Sequence, residues 1–170
     1  MHEKKTSKWL KFNVQAVRLG VSILLLLRVA GAEKGAKAVS IPSSGLKVLV
    51  IDDSNTIRRS AEIFLKQGGH EVLLADDGFD ALAKVNDFEP HLIFCDILMP
   101  RLDGYQTCAI IKRNVKFSGV PIVMLSSKDG VFDKARGRMV GSQDYLTKPF
   151  TKDQLLQTVL EFGSIKQGLA

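Results

Sequence analysis

The feature that most constrains the fold of this chain begins at Leu46. From there, short apolar runs alternate with longer segments whose apolar residues recur at helical spacing. Such alternation is typical of βα units built around a parallel sheet. Five units can be counted, with strands predicted at residues 46–51, 71–75, 91–95, 121–126 and 143–147. The third and fourth runs are apolar almost throughout, as expected of strands that helices cover on both faces. The sequence therefore predicts an α/β domain with a five-stranded parallel sheet.

The first two connecting segments have helix signals at both ends. In the first, apolar residues follow Ile57 at i+4, i+7 and i+8, and Gly68 and Gly69 provide an end to the helix. The second is expected to begin near Asp77 and to end before Pro90. These two segments are predicted to be helices.

The other three connecting segments also predict helices. The third is expected to be capped by Asp103 and to turn Ile110 and Ile111 inward. The fifth opens with Thr151 and Gln154 in capping-box spacing, and its predicted buried residues are Leu155, Leu156, Val159 and Leu160.

The fourth helix has the least regular pattern. Asp129 is its expected cap, and Gly137 inside it lowers helix propensity by about 1 kcal/mol relative to alanine. Its predicted apolar face consists of Val131, Ala135 and Met139.

The net charge of +6 does not belong to the predicted domain. Residues 1–44 carry eight basic and two acidic residues, and the rest of the chain carries 16 of each sign. A balanced domain has no electrostatic reason to bind a phosphate backbone, so we expect no nucleic-acid partner. Cys95 and Cys108 have neither redox-motif nor metal-ligand spacing. We interpret them as small buried apolar residues of a cytoplasmic protein.

Four of the five predicted strands end in polar groups that one reaction could use. In an open parallel sheet these ends share one edge, where ligands bind. Taken alone, a pair of aspartates after a strand is more often a turn and a helix cap than a metal site. The four strand ends together, however, bring groups suited to one reaction: Asp52 and Asp53, then Asp96, then Ser126 and Ser127, then Lys148 and Pro149.

Three carboxylates at one edge repel one another unless a cation joins them. Mg²⁺ suits such a site, because it accepts one or two carboxylates and leaves positions for water and phosphate oxygens. We expect Asp53 and Asp96 to bind Mg²⁺ directly, Asp52 to bind it through water, and the backbone carbonyl of Leu98 to add an oxygen. An aspartate can also accept a phosphoryl group if positive charge neutralises the transferring oxygens. Here the metal and Lys148 would supply that charge, and the Ser126 hydroxyl would donate to a phosphoryl oxygen.

Four motifs resemble the receiver domains of bacterial response regulators: VLVIDDS, DILMPRLDG, PIVMLSS and DYLTKPF. The resemblance extends from residue 46 to about residue 165, and we expect the domain to occupy residues 45–167. It implies a flavodoxin-like, doubly wound (βα)5 fold with strand order 2-1-3-4-5. It also implies that Asp96 is the phosphoacceptor and that Asp52 and Asp53 hold Mg²⁺.

The same resemblance assigns roles to residues beyond the acidic cluster. Ser126 would be the switch hydroxyl and Tyr145 the switch aromatic residue, although a half-buried strand tyrosine is also an ordinary structural feature. Lys148 would contact the phosphate, and the Lys148–Pro149 peptide bond is expected to be cis. Leu98 stands where a polar side chain could orient the hydrolytic water, so we expect slow self-dephosphorylation.

Three further motifs narrow the resemblance: DGFDALAKV, MPRLDGYQTC and SSKDGVFDKARGR are similar to the stand-alone regulators of type IV pilus twitching motility in proteobacteria. This similarity implies a chemosensory-type histidine kinase as phosphodonor and a downstream protein of the pilus machinery as target. Because the domain accounts for nearly all of the chain after residue 44, we expect output through a protein partner, with the domain either a monomer or a phosphorylation-linked dimer.

Two other functions are compatible with parts of the sequence. A phosphatase that works through a phospho-aspartate requires a second aspartate two residues after the nucleophile, but Asp96 is followed by Ile97 and Leu98. A receiver-like adaptor, anchored at the membrane surface and independent of phosphorylation, would not need the complete set of strand-end groups.

Residues 1–44 leave three interpretations open. Residues 19–27 form an uncharged stretch between Arg18 and Arg28, too short to span a bilayer, which requires about 20 apolar residues. The segment is either a non-functional or mis-started extension, a basic segment that lies on a membrane surface, or a cleaved signal.

Overall fold

The computed structural model describes residues 45–127, 136 and 138–163. These residues contain five strands and four helices. In chain order they are β1 Lys47–Ile51, α1 Asn55–Gln67, β2 Glu71–Ala75, α2 Gly78–Phe88, β3 Leu92–Asp96, α3 Gly104–Arg113, β4 Ile122–Ser126, β5 Asp144–Thr147 and α4 Lys152–Phe162. The helix predicted to begin at Asp129 lies largely outside the described residues.

The five strands form one parallel sheet in the order β2-β1-β3-β4-β5. This order confirms the predicted flavodoxin-like topology. In the register of the sheet, Asp96 pairs with Leu125, and Ser126 pairs with Thr147. The carboxyl ends of the central strands therefore lie level at one edge.

Both faces of the sheet are covered. Along β1, Val48 and Val50 belong to one buried cluster, whereas Leu49 and Ile51 belong to another. This division follows from the alternation of side chains along a strand. The first cluster includes residues of α1 and α4, and the second includes residues of α2 and α3. The apolar character of β1 is thus explained by helices on both sides.

Each of the four helices begins at a side-chain cap. The capping oxygens of Ser54, Asp77, Asp103 and Thr151 each accept a hydrogen bond from the backbone N–H three residues later. The predicted caps of α3 and α4 and the predicted start of α2 near Asp77 are thereby confirmed. Gln106 and Gln154 complete capping boxes in α3 and α4.

Two apolar residues that were expected to be buried are exposed. In α3, Ile111 is buried but Ile110 is 42% exposed, so the prediction that both point inward is wrong for Ile110. In α4, Leu155 and Val159 are buried and Leu160 is half-exposed. Each helix packs through a narrow face, and Ile110 and Leu160 lie beyond its margin.

Met139, which was predicted to share a face of the fourth helix with Val131 and Ala135, has a side chain that is 87% exposed. The neighbouring members of that face lie outside the described residues.

The boundaries of β2 match the prediction, and those of the other four strands differ by one residue. β1, β4 and β5 each begin one residue later than expected. Pro121 cannot begin the ladder as a donor because it has no N–H. β3 runs one residue later at both ends, because the ladder extends through Asp96, which pairs with Leu125. This extension makes Asp96 itself part of the sheet.

Both cysteines are free and buried, as predicted. Burial raises the pKa of the Cys95 thiol far above its usual value and that of Cys108 to about 11. Both therefore remain protonated and packed in the core. Among the described residues, none of the helices combines the length and apolar character needed to cross a membrane.

Candidate functional site

Three aspartates meet at the carboxyl edge of the sheet. Asp52, Asp53 and Asp96 each place a carboxylate oxygen within 4.8 Å of the others. Asp52 and Asp96 are buried, whereas Asp53 is exposed. The resulting pocket has an acidic floor and one carboxylate at its rim. The predicted convergence of the strand ends is therefore present in the fold.

Asp52 is fixed at both its backbone and its side chain. Its N–H donates to the carbonyl of Ala75 (3.2 Å), and its Oδ1 accepts from the N–H of Ser54 (2.8 Å). The Arg58 guanidinium, one turn into α1, donates from Nη1 to the Asp52 carbonyl (2.5 Å). Sequence reasoning missed this role of Arg58. A basic residue six positions after an aspartate gives no signal that it reaches back to the backbone.

Asp96 is the last residue of β3 and lies against the start of α3. A Cβ on Gly104 would lie 2.0 Å from the Asp96 carbonyl oxygen, so only glycine fits there. The Leu98 backbone N–H lies close enough to the Asp96 carboxylate to lower its pKa. The Leu98 side chain is 70% exposed.

Lys148 is the residue that follows β5, and its side chain extends into the acidic pocket. Its Nζ lies 2.8 Å from Asp96 Oδ1 and 3.0 Å from Asp52 Oδ2. Its backbone N–H donates to the carbonyl of Ser126 (2.6 Å). The Lys148–Pro149 peptide bond is cis, as expected from the resemblance. The Lys148 ammonium group therefore bridges two carboxylates: that of Asp52, which follows β1, and that of Asp96, which ends β3.

The pKa values of the bridged pair reflect their burial. Burial raises the pKa of the Asp96 carboxyl, and the hydrogen bond from Lys148 opposes this without cancelling it. Burial alone would lower the pKa of Lys148, but its hydrogen bonds to Asp96 and Asp52 outweigh burial, and the pKa is raised. Lys148 thus stays charged, whereas Asp96 is less acidic than an exposed aspartate.

The two residues with an expected switch role lie near this pocket. Ser126 is buried at the end of β4, beside Thr147 of β5. Tyr145 pairs in register with Met124, is half-buried, and packs against the core on the α2 and α3 side. Ser126 and Tyr145 lie on neighbouring strands because β4 pairs with β5 in the sheet. Their switch roles remain predictions.

The donor set of the pocket suits a magnesium ion. Carboxylate oxygens are the ligands that this hard cation prefers, and three are grouped here. The two Asp52 oxygens are engaged by the Ser54 N–H and by Lys148. Asp53, which is exposed at the rim of the pocket, is therefore the best placed of the three to contact an ion directly.

A second contact that the sequence did not reveal lies at the start of α2. The guanidinium of Arg101, in the loop after β3, pairs with the buried Asp77 carboxylate. It also lies 5.7 Å from the centre of the Phe79 ring. The sequence pattern indicated only that a helix begins near Asp77.

A doubly wound parallel sheet with three carboxylates and a lysine at its carboxyl edge defines a class of α/β signalling domains. The sequence profile of the family described as the response regulator receiver domain matches residues 48–160. The chain therefore belongs to the response regulator receiver domain family, whose members are signalling domains of two-component systems and are generally not enzymes.

Similarity to individual proteins supports this family assignment. The chain is 65% identical over 117 residues to Protein PilG of Pseudomonas aeruginosa, covering 69% of this chain and 87% of PilG. It is 34% identical over 113 residues to Protein PilH of the same organism, covering 66% of this chain and 93% of PilH. The solved chemotaxis protein CheY4 of Vibrio cholerae is similar with a TM-score of 0.68 and 33% identity, covering 70% of this chain and 99% of CheY4.

Proposed function

We propose that this protein accepts a phosphoryl group from a histidine kinase on Asp96 and signals through a protein partner that recognises the changed surface. The observation that carries the proposal is the position of Lys148 Nζ, 2.8 Å from Asp96 Oδ1 inside the pocket of three carboxylates. A cation held there suits the charge of an incoming phosphoryl group.

The transfer requires one bond to form and one to break. An oxygen of the ionised Asp96 carboxylate attacks phosphorus, and the bond from phosphorus to the histidine nitrogen of the donor breaks. The electron pair of that bond stays on the nitrogen, which takes up a proton. Lys148 then contacts a phosphoryl oxygen, and the Ser126 hydroxyl donates to another.

The Mg²⁺ site would be shared among the residues predicted from the sequence. Asp53 and Asp96 would bind directly, and the carbonyl of Leu98 would add an oxygen. Asp52 would act through water, which agrees with the hydrogen bonds that its two oxygens already accept. A bound Mg²⁺ would neutralise charge on the phosphoryl oxygens.

Signal output would follow from the switch residues. Movement of Ser126 toward a phosphoryl group on Asp96 would vacate space into which Tyr145 can rotate. The surface around β5 and α4 would then change shape. Because β5 is an edge strand beside α4, this surface is accessible to a partner.

The biological setting we propose is type IV pilus twitching motility. Its support is the motif similarity to regulators of that process, together with the 65% identity to PilG. The phosphodonor would be a chemosensory-type histidine kinase, the target would be a protein of the pilus machinery, and this protein would act in the cytoplasm. The signalling domain would occupy residues 45–167, in a monomer or in a dimer formed on phosphorylation.

A second candidate is an adaptor that needs no phosphorylation and is anchored at the membrane surface by residues 1–44. The basic excess of that segment favours it. Its binding to the partner would be the same in wild type and in Asp96→Asn, whereas the leading proposal requires binding to depend on phosphorylation.

The test is a comparison of intact masses after incubation with acetyl phosphate and Mg²⁺. We expect wild type to gain the mass of one phosphoryl group and Asp96→Asn to gain none. Asp87→Asn, which changes an exposed carboxylate on α2, is the control and should behave as wild type. An equal gain by Asp96→Asn would contradict the proposal.

A further inference from the structure

We propose that Arg101 is a positioning residue, whose ion pair with Asp77 holds the loop that carries the Leu98 amide against Asp96. This inference rests on the proposed function and deepens it, because it concerns an amide two residues from the proposed phosphoacceptor. The pair joins two loops that follow different strands of the sheet, β2 and β3.

The backbone at Arg101 has a disfavoured conformation. Arg101 has a φ of 69°, in the left-handed region that residues with a Cβ seldom adopt. The Leu102 N–H donates to the Pro100 carbonyl across it (2.8 Å), which closes a three-residue γ-turn with positive φ at its centre. Such a turn persists only where surrounding contacts hold it.

The partner of Arg101 is well placed to hold this turn. Asp77 is buried and has two tasks: its Oδ1 accepts from the Asp80 N–H (2.8 Å), and its Oδ2 pairs with Arg101. The first contact fixes the carboxylate to α2, and the stacking of the Arg101 guanidinium over Phe79 restricts the arginine side chain. The turn is thus tied to the rigid start of a helix.

Close packing beside the ion pair also holds the loop after β3 against α2. A Cβ on Gly78 would lie 2.8 Å from Leu102 Cδ2 and 2.2 Å from Thr107 Oγ1. Since Leu102 is the last residue of the turn, α2 contacts both the loop and α3 at this point. Movement at the start of α2 would therefore displace the loop.

Only a few residues of the loop separate the γ-turn at Arg101 from Asp96. The Ile97 carbonyl accepts from the Gly104 N–H (3.0 Å), so the loop is closed at its base. Between these ends, the Leu98 N–H lies close enough to the Asp96 carboxylate to lower its pKa, and Arg101 lies three residues further on. Releasing Arg101 should leave the base intact and loosen the Leu98 amide.

The experiment measures amide hydrogen exchange at Leu98 by NMR in the full chain. Asp77→Asn keeps a capping oxygen and removes the charge, and Arg101→Asn keeps a residue type that tolerates positive φ. Arg59→Gln is the matched control, because Arg59 is about as exposed and forms an ion pair with Glu62 on α1.

We expect Asp77→Asn and Arg101→Asn each to speed exchange at Leu98 about tenfold, with exchange at the core amide of Val50 unchanged. The double variant should be no faster than either single variant, because both remove one interaction. Unchanged exchange at Leu98, or equal acceleration at Val50, would overturn the inference. Equal acceleration would mean that the pair only stabilises the fold.

A second readout connects the pair to phosphoryl transfer. Initial rates of phosphorylation by acetyl phosphate should fall about tenfold in both variants and stay at the wild-type value in Arg59→Gln, since small displacements at a reacting centre are costly. Rates within twofold of wild type would contradict the positioning role. If wild type itself takes up no phosphoryl group, the proposed function fails, and exchange at Leu98 still decides the role of the ion pair.

Discussion

Lys148 Nζ lies 2.8 Å from Asp96 Oδ1, which joins the residue after the edge strand β5 to the last residue of β3. The same nitrogen lies 3.0 Å from Asp52, so one partly buried cation serves two buried carboxylates. Without it, the pocket would hold unbalanced negative charge.

This arrangement predicts a stability loss on removing the ammonium group. We expect Lys148→Met to lower the free energy of unfolding by about 3 kcal/mol at pH 7, because breaking a buried pair leaves its partners uncompensated. Added Mg²⁺ should recover part of the loss by supplying another cation. Chemical denaturation with and without Mg²⁺ measures both effects. Lys152→Met, which loses only an exposed hydrogen bond to Gln67, should cost much less, and an equal loss in both variants would contradict the account.

Replacing Asp96 with its neutral isostere should have the opposite effect. Burial raises the pKa of Asp96, so its charged form is less stable in the folded protein than in the unfolded chain. Asp96→Asn should therefore be more stable than wild type at pH 7. A raised folded pKa contributes stability that is present at low pH and lost as pH rises, so the difference should shrink as pH falls toward 3.8. Denaturation curves across this range test the prediction, and a difference independent of pH would refute it.

The exposed Leu98 side chain predicts a slow loss of phosphate. A polar residue there could orient the water that attacks the acyl phosphate, so Leu98→Asn should hydrolyse its phosphoryl group several-fold faster. The decay of the phosphorylated mass after removal of the donor gives the rate. Leu98→Val, which stays apolar, is the matched control, and equal decay in the two variants would count against the prediction.

Much of the site could be predicted because strand ends in a parallel sheet share an edge. The position of a residue just after an apolar run was sufficient to bring Asp52, Asp96 and Lys148 together. Helix caps were equally accessible, since a side chain such as Thr151 satisfies a backbone N–H only three residues away. Both signals depend on distances that local geometry fixes.

Contacts between separate loops left no such signal. The Arg101–Asp77 pair depends on how the loop after β3 folds over α2, and the reach of Arg58 to Asp52 depends on a side-chain conformation. No spacing rule encodes either contact. The exposure of Ile110 was missed for a related reason. Helical spacing identifies the apolar side of a helix but does not show where that side ends.

The extent of the buried face of α3 can be tested by truncating two adjacent residues. Ile111 is 2% exposed and Ile110 is 42% exposed, so truncation should affect them unequally. We expect Ile111→Ala to cost about 3 kcal/mol of unfolding free energy, in the usual range for a buried isoleucine, and Ile110→Ala less than about 1 kcal/mol. Urea denaturation measures both. Similar losses would mean that both side chains are packed.

The central claim is that Asp96 receives the phosphoryl group in a pocket that requires a divalent cation. The most direct measurement is to phosphorylate the protein with acetyl phosphate, reduce the acyl phosphate with borohydride, and map the modified peptide by mass spectrometry. We predict modification at Asp96 alone, abolished when a chelator replaces Mg²⁺. Modification at Asp52 or Asp53, or undiminished modification at Asp96 without a divalent cation, would contradict the account.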